Sequence, residues 1–134
     1  MTRIFIDGVF DLFHVGHENL LRRAKQNYQP CEVIVGIHSD KVVSSYKRAP
    51  TWNERKRYEA VRNFEYVDEV VEDFPLGITK EVIENYNIDY VLKGKEEGST
   101  TVDWCYVYPK EQGILVEIPR TEGISSTQLA QELI

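Results

Sequence analysis

The sequence predicts an α/β fold, an open parallel sheet of about five strands with helices on both faces. Three observations predict it. Apolar runs of strand length alternate with helical stretches along the whole chain. The connections are short, so successive strands must be joined through the intervening helices, which makes them parallel and covers the sheet on both sides. A chain of 134 residues with 42% hydrophobic content is enough for one well-packed core and too little for two, so residues 1–134 are expected to form a single domain.

Taken in order, the first strand is expected at 3–7, around Ile4, Phe5 and Ile6. A tight turn leads to a helix at 17–28, where Leu20, Leu21 and Ala24 give an apolar face opposite Arg22, Arg23 and Lys25. The second strand is expected at 32–38, and a basic helix at 53–64 opened by Thr51 or Asn53. A third strand at 67–71 precedes a helix at 79–86 capped by Thr79, then a strand at 89–92 and a helical stretch at 103–110. The fifth strand, 115–118, feeds a final helix at 125–134 with Ser125 as its cap. There is no repeat, low-complexity tract or linker, and the alternation is Rossmann-like throughout.

Composition narrows the function. The net charge is −6 and the pI about 5.1, which argues against a nucleic-acid binder working through a general basic surface. Locally the balance reverses. Between Lys47 and Arg62 stand six Lys or Arg against Glu54 and Glu59, a basic patch suited to a small anionic ligand. Cys31 and Cys105 form no CxxC pair and read as ordinary intracellular thiols. The chain starts without the apolar h-region of a signal peptide and has no stretch of membrane-spanning length, so a cytoplasmic protein is expected, without membrane or nucleic-acid partners.

The most informative segment is Gly-Val-Phe-Asp-Leu-Phe-His-Val-Gly-His at 8–17, which holds two of the three histidines, His14 and His17. It occupies the first strand-to-helix turn, where sheets of this type bind ligands beyond the carboxyl ends of their strands. A helix N-terminus offers free N–H groups and a positive dipole end to phosphate. Gly16 would let a ligand approach the backbone, and the imidazoles would add donors whose charge can vary near neutral pH. The last junction, 119–127, repeats the plan with Arg120, Gly123 and the hydroxyls Ser125, Ser126 and Thr127.

These residues carry a family resemblance. GVFDLFHVGH together with RTEGISST closely resembles the cytidylyltransferases of the HIGH-motif nucleotidyltransferase superfamily, which make CDP-alcohols from CTP and a phosphorylated alcohol. The similarity extends over essentially the whole chain. Segments 34–40, 53–61 and 66–71 look like the phosphocholine and phosphoethanolamine enzymes, and the size looks like the compact glycerol-3-phosphate enzymes, which work as homodimers. The lipid-sensing tail of the animal phosphocholine enzymes is not in this sequence, and membrane regulation of that kind is not expected. The resemblance implies CTP and a small phosphorylated alcohol as substrates, Mg²⁺ as the accompanying ion with no metal ligand assigned on the protein, and a homodimer.

Residue by residue, it implies a catalytic set of His14, His17, Lys47 and Arg120. The nucleotide would be held by Gly8, Val9, Phe10, Asp11, Gly16, Arg57, Lys93, Gly94, Arg120, Gly123, Ile124, Ser125 and Thr127. Asp40, Asp103, Trp104 and Tyr106 would face the acceptor, where an aromatic surface with a carboxylate could hold a quaternary ammonium, although packing is favoured for at least one of these rings.

Two positions depart from the family pattern. Glu65 stands where Arg or Lys is usual, and Lys93-Gly94-Lys95-Glu96 where acidic residues are usual. A swapped Glu65–Lys95 ion pair, selection of a more anionic acceptor, and drift at a solvent-facing loop all remain open. Two other classes share part of the pattern. Many adenylyltransferases of the superfamily carry Pro where Leu12 stands and an arginine near Gln128-Leu129-Ala130, where this chain has none. A non-catalytic nucleotide-binding module would not need the intact set of His14, His17, Lys47 and Arg120.

Overall fold

The computed structural model describes residues 1–94 and 103–119. Its elements run β1 (Thr2–Gly8), α1 (Val15–Asn27), β2 (Cys31–Ile37), α2 (Asp40–Ser44), α3 (Glu54–Arg62), β3 (Glu69–Val71), α4 (Lys80–Asn85), β4 (Tyr90–Gly94), a 3-10 turn (Asp103–Tyr106), α5 (Val107–Glu111) and β5 (Leu115–Ile118). The five strands form one parallel sheet in the order β3-β2-β1-β4-β5. The expected 125–134 helix lies outside the described residues.

Alternation along the strands builds two cores, because successive side chains leave a strand on opposite faces. Ile4, Ile6, Val33, Val35 and Ile37 join Leu21 and Ala24 of α1 and Tyr58 and Val61 of α3. Phe5, Ile34 and Val91 join Phe74, Ile78 and Ile88 on the other face, against Val82 and Ile83 of α4. Strands buried on both sides explain why the runs read as continuously apolar. Gly36 is required by this packing: a Cβ there would lie 2.7 Å from Phe5 and 2.8 Å from Phe74.

The differences from expectation have local causes. Helix α1 starts at Val15 rather than 17, because His14 acts as its cap. Strand β3 starts at Glu69 rather than 67, because the Asp68 carboxylate accepts from the Val33 amide at 2.7 Å and from Lys25 at 2.9 Å. The Asp89 carboxylate likewise accepts from the Arg3 amide at 2.8 Å, so β4 begins at Tyr90 and runs on to Gly94. Helix α2 was not expected; it is five residues long, too short to show a period, and is capped by Ser39. The stretch 103–110 divides into the 3-10 turn and α5. Asn53, not Thr51, caps α3, and Thr79 caps α4 as expected.

Because β1 is central, the chain leaves it toward β2 on one side and returns as β4 on the other. The carboxyl ends of β1 and β4 therefore flank the crevice where such sheets bind ligands. Among the described residues no helix is long and apolar enough to cross a membrane.

Candidate active site

The turn leaving β1 is built under strain. Phe10 and Leu12 have φ of 56° and 58°, a conformation that residues with side chains rarely adopt. Each costs on the order of 1–2 kcal/mol, and both are held by burial, with Phe10 and Leu12 only 4% and 8% exposed. Between them Asp11 points into the protein. Its Oδ2 accepts from the Thr51 amide at 2.8 Å and its Oδ1 from the Trp52 amide at 2.9 Å. Gly8 gives the Phe10 ring room, since a Cβ there would lie 3.0 Å from Phe10 Cε2.

The two histidines form a capping box in place of the usual Ser and Glu. The Gly16 amide donates to His14 Nδ1 at 3.0 Å, and the His14 amide donates to His17 Nδ1 at 3.1 Å. The rings stack with centroids 3.9 Å apart and planes 21° apart, and Phe13 stacks on His17 at 5.8 Å. An Nδ1 that accepts an amide hydrogen carries no proton, so the proton of each neutral ring is on Nε2. The fold thereby selects one tautomer for both rings.

The Gly16 amide donates to His14 within the turn. One sequence expectation changes here: the charge of His17 does not vary near neutral pH. Burial, with the neighbouring His14 and then Lys47, lowers its pKa from 6.5 to about 3, so the ring is neutral. The Lys47 backbone N–H donates to the Val43 carbonyl at 3.1 Å, and Nζ lies 5.6 Å from the Tyr46 ring centre.

Three of the other cations of 47–62, Lys56, Arg57 and Arg62, are each engaged by separate groups within the protein. Arg57 is fully buried and donates to the carbonyls of Trp52, Val9 and His38 at 3.2, 2.9 and 2.8 Å, and to Asp40 Oδ1 at 2.8 Å. It is a strut beneath the turn. Asp40, expected near the acceptor, is the partner of that strut. Arg62 pairs with Glu72 at 2.6 Å and Lys56 lies over the Trp52 ring at 4.5 Å.

On the β4 side, Lys93 Nζ lies 4.6 Å above the Tyr106 ring, and a Cβ on Gly94 would meet nothing within 4 Å. Tyr106 packs in the second core and donates its hydroxyl to Asp7 Oδ1 at 2.6 Å. Trp104 is 58% exposed, with its ring edge against Gly77. The backbone of Asp103 opens the 3-10 turn. Arg120, Gly123, Ile124, Ser125 and Thr127, and Lys95 of the suggested pair with Glu65, lie outside the described residues.

Sequence reasoning missed Asp7 and His38. The Asp7 Oδ2 lies 3.4 Å from His38 Nε2, both side chains are 4% exposed, and His38 Nδ1 donates to the Phe74 carbonyl at 2.7 Å. An acidic residue closing an apolar strand, and the third histidine at the end of the next, were the available signals. Among the described residues no three His, Cys, Asp or Glu side chains cluster as a metal cage.

Comparison with known proteins bears on the family and the fold. The family model described as cytidylyltransferase-like matches residues 5–132. The ethanolamine-phosphate cytidylyltransferase of Dictyostelium discoideum is 38% identical over 134 residues, covering 98% of this chain and 36% of its own length. Choline-phosphate cytidylyltransferase A of Homo sapiens is 37% identical over 134 residues, covering 99% of this chain and 36% of its own. The chain thus spans about a third of the length of these relatives. Among solved structures, the lipopolysaccharide core biosynthesis protein of Thermoplasma volcanium shares the fold with a TM-score of 0.68 at 22% identity, covering 93% of this chain and 99% of its own.

Proposed function

The chain belongs to the cytidylyltransferase-like family, and from that premise we propose that it transfers CMP from CTP to a small phosphorylated alcohol. A phosphate oxygen of the alcohol attacks the α-phosphorus of CTP, the bond from that phosphorus to the bridging oxygen breaks, and pyrophosphate leaves as the CDP-alcohol forms. No protein nucleophile is needed, so the protein's contribution is positioning and stabilisation of spreading negative charge. What carries this reading is the stacked imidazole pair, whose Nδ1 atoms are pinned by backbone amides so that two Nε2–H donors are oriented before substrate arrives. In this reading His14 and His17 hold the α-phosphate and Lys47 the phosphate chain, with Arg120, Ser125 and Thr127 contributing from the last junction.

The acceptor is of the phosphocholine or phosphoethanolamine class, a choice supported by the names of the similar proteins. Lys93 over Tyr106 keeps glycerol 3-phosphate in the test. Mg²⁺ would enter with the triphosphate, since it dehydrates reluctantly and is commonly held through phosphate oxygens and water. The residues at this edge fit that mode. The Asp11 oxygens accept from Thr51 and Trp52, and those of Asp7 face Tyr106 and His38, so the phosphates would supply most of the ion's ligands. A homodimer in the cytosol belongs to the same proposal.

The test is pyrophosphate release with CTP or ATP against phosphocholine, phosphoethanolamine and glycerol 3-phosphate. Turnover with CTP and at least one of these acceptors is expected; turnover with ATP alone, or with no pair, would overturn the proposal.

A further inference from the structure

We propose that Asp11 is a positioning residue, a latch that sets the Lys47 segment against the paired imidazoles rather than a ligand of the nucleotide. The inference rests on the CTP reading above. Asp11 is 8% exposed and gives one carboxylate oxygen to each of two consecutive amides, Thr51 and Trp52. Only an acceptor-only group matches two donors in this way. The same segment is tied at its other end, where the Lys47 amide donates to Val43 at 3.1 Å. Lys47 therefore lies on a short bridge fixed to α2 at one end and to the first turn at the other.

The turn itself is shaped for this contact. Asp11 sits between Phe10 and Leu12, both at positive φ, and backbone held in that region persists only where its surroundings over-determine it. Arg57 ties the same two segments together, donating to Val9 on the turn and to Trp52 on the loop. The reach from Lys47 to the latched residues is four or five peptide units, at most about 18 Å even fully extended, so a shift at Thr51 and Trp52 is transmitted to Lys47.

The test is a double-mutant cycle read by calorimetric CTP binding to the full chain. Asp11→Asn keeps the shape but sets an NH₂ against one of the two amides. It should weaken CTP binding roughly tenfold or more when Lys47 is present, and by no more than about twofold in a Lys47→Ala background. Thr51→Pro removes one donated N–H without touching Asp11 and should show the same dependence on Lys47, which keeps the test decisive if Asp11→Asn does not fold. Equal weakening in both backgrounds would mean that Asp11 acts on the nucleotide or on the fold at large, and would overturn the latch, as would unchanged affinity in Asp11→Asn. Failure of the unmutated protein to bind CTP would overturn the nucleotide reading first, and the latch with it.

Discussion

Replacing His14 by asparagine separates what its two ring nitrogens do. In the structure Nδ1 caps α1 by accepting from Gly16 at 3.0 Å, while Nε2–H is the proposed phosphate donor. The Oδ1 of asparagine can take the place of Nδ1, and asparagine is among the best N-cap residues, so the helix start should survive. Loss of an oriented donor to developing charge costs about 3–4 kcal/mol, so kcat should fall by on the order of 10²–10³. Alanine at the same site loses both functions. Its kcat should fall as far, and its stability by a further ~1 kcal/mol, or about 4 °C in Tm for a chain of this size. The assay is steady-state pyrophosphate release beside thermal unfolding of the three proteins. If His14→Asn retains kcat within about threefold, the donor role is wrong. If it loses as much Tm as His14→Ala, the cap is wrong.

Other outcomes follow from the same geometry. Because the pKa of His17 is lowered to about 3, the unfolded chain binds this proton between about pH 6.5 and 3 while the folded one does not, so His17 makes stability rise with pH across that window. His17→Gln keeps a capping-box acceptor and should flatten urea-unfolding stability between pH 4 and 6.5 by up to about 1.4 kcal/mol per unit, whereas an unchanged slope would contradict the buried neutral ring. Arg57→Met leaves three carbonyls and Asp40 without their donor and should cost about 3–5 kcal/mol by urea titration; a small stability change with a large rise in KM for CTP would make Arg57 a ligand contact instead of a strut. Gly36→Ala, forced to within 2.8 Å of both Phe5 and Phe74, should lose about 1–3 kcal/mol by the same measurement, and a neutral substitution would show the packing to be looser than described.

Much of the fold was legible because its strands are covered on both faces. Ile4 to Ile6 and Val33 to Ile37 had to be apolar throughout, which sets them apart from helices with a single apolar stripe. Element ends were less legible where side chains replace backbone partners. Asp68 and Asp89 accept amide hydrogens and delay β3 and β4, and the imidazoles of His14 and His17 cap α1 in a way that ordinary Ser or Asp rules do not anticipate. In the site, the two histidines stand out by residue type and spacing, whereas Lys47 is singled out only through the family resemblance. Arg57, Asp11 and Asp40 could not be placed, because a charged residue in a motif looks the same whether it faces a ligand or holds the loop beside it. Asp7 and His38 were hidden for a related reason: they pair with each other across neighbouring strands, and the register that joins them is visible only in three dimensions.

The measurement closest to the central claim follows the α-phosphorus. The protein is incubated with CTP labelled at that atom and with phosphocholine, phosphoethanolamine or glycerol 3-phosphate in turn. Direct transfer puts the label in a CDP-alcohol, with one pyrophosphate per product formed, and His14→Asn slows its appearance by two to three orders of magnitude. Label recovered as free CMP, or CTP left unconsumed with every acceptor, would contradict the account.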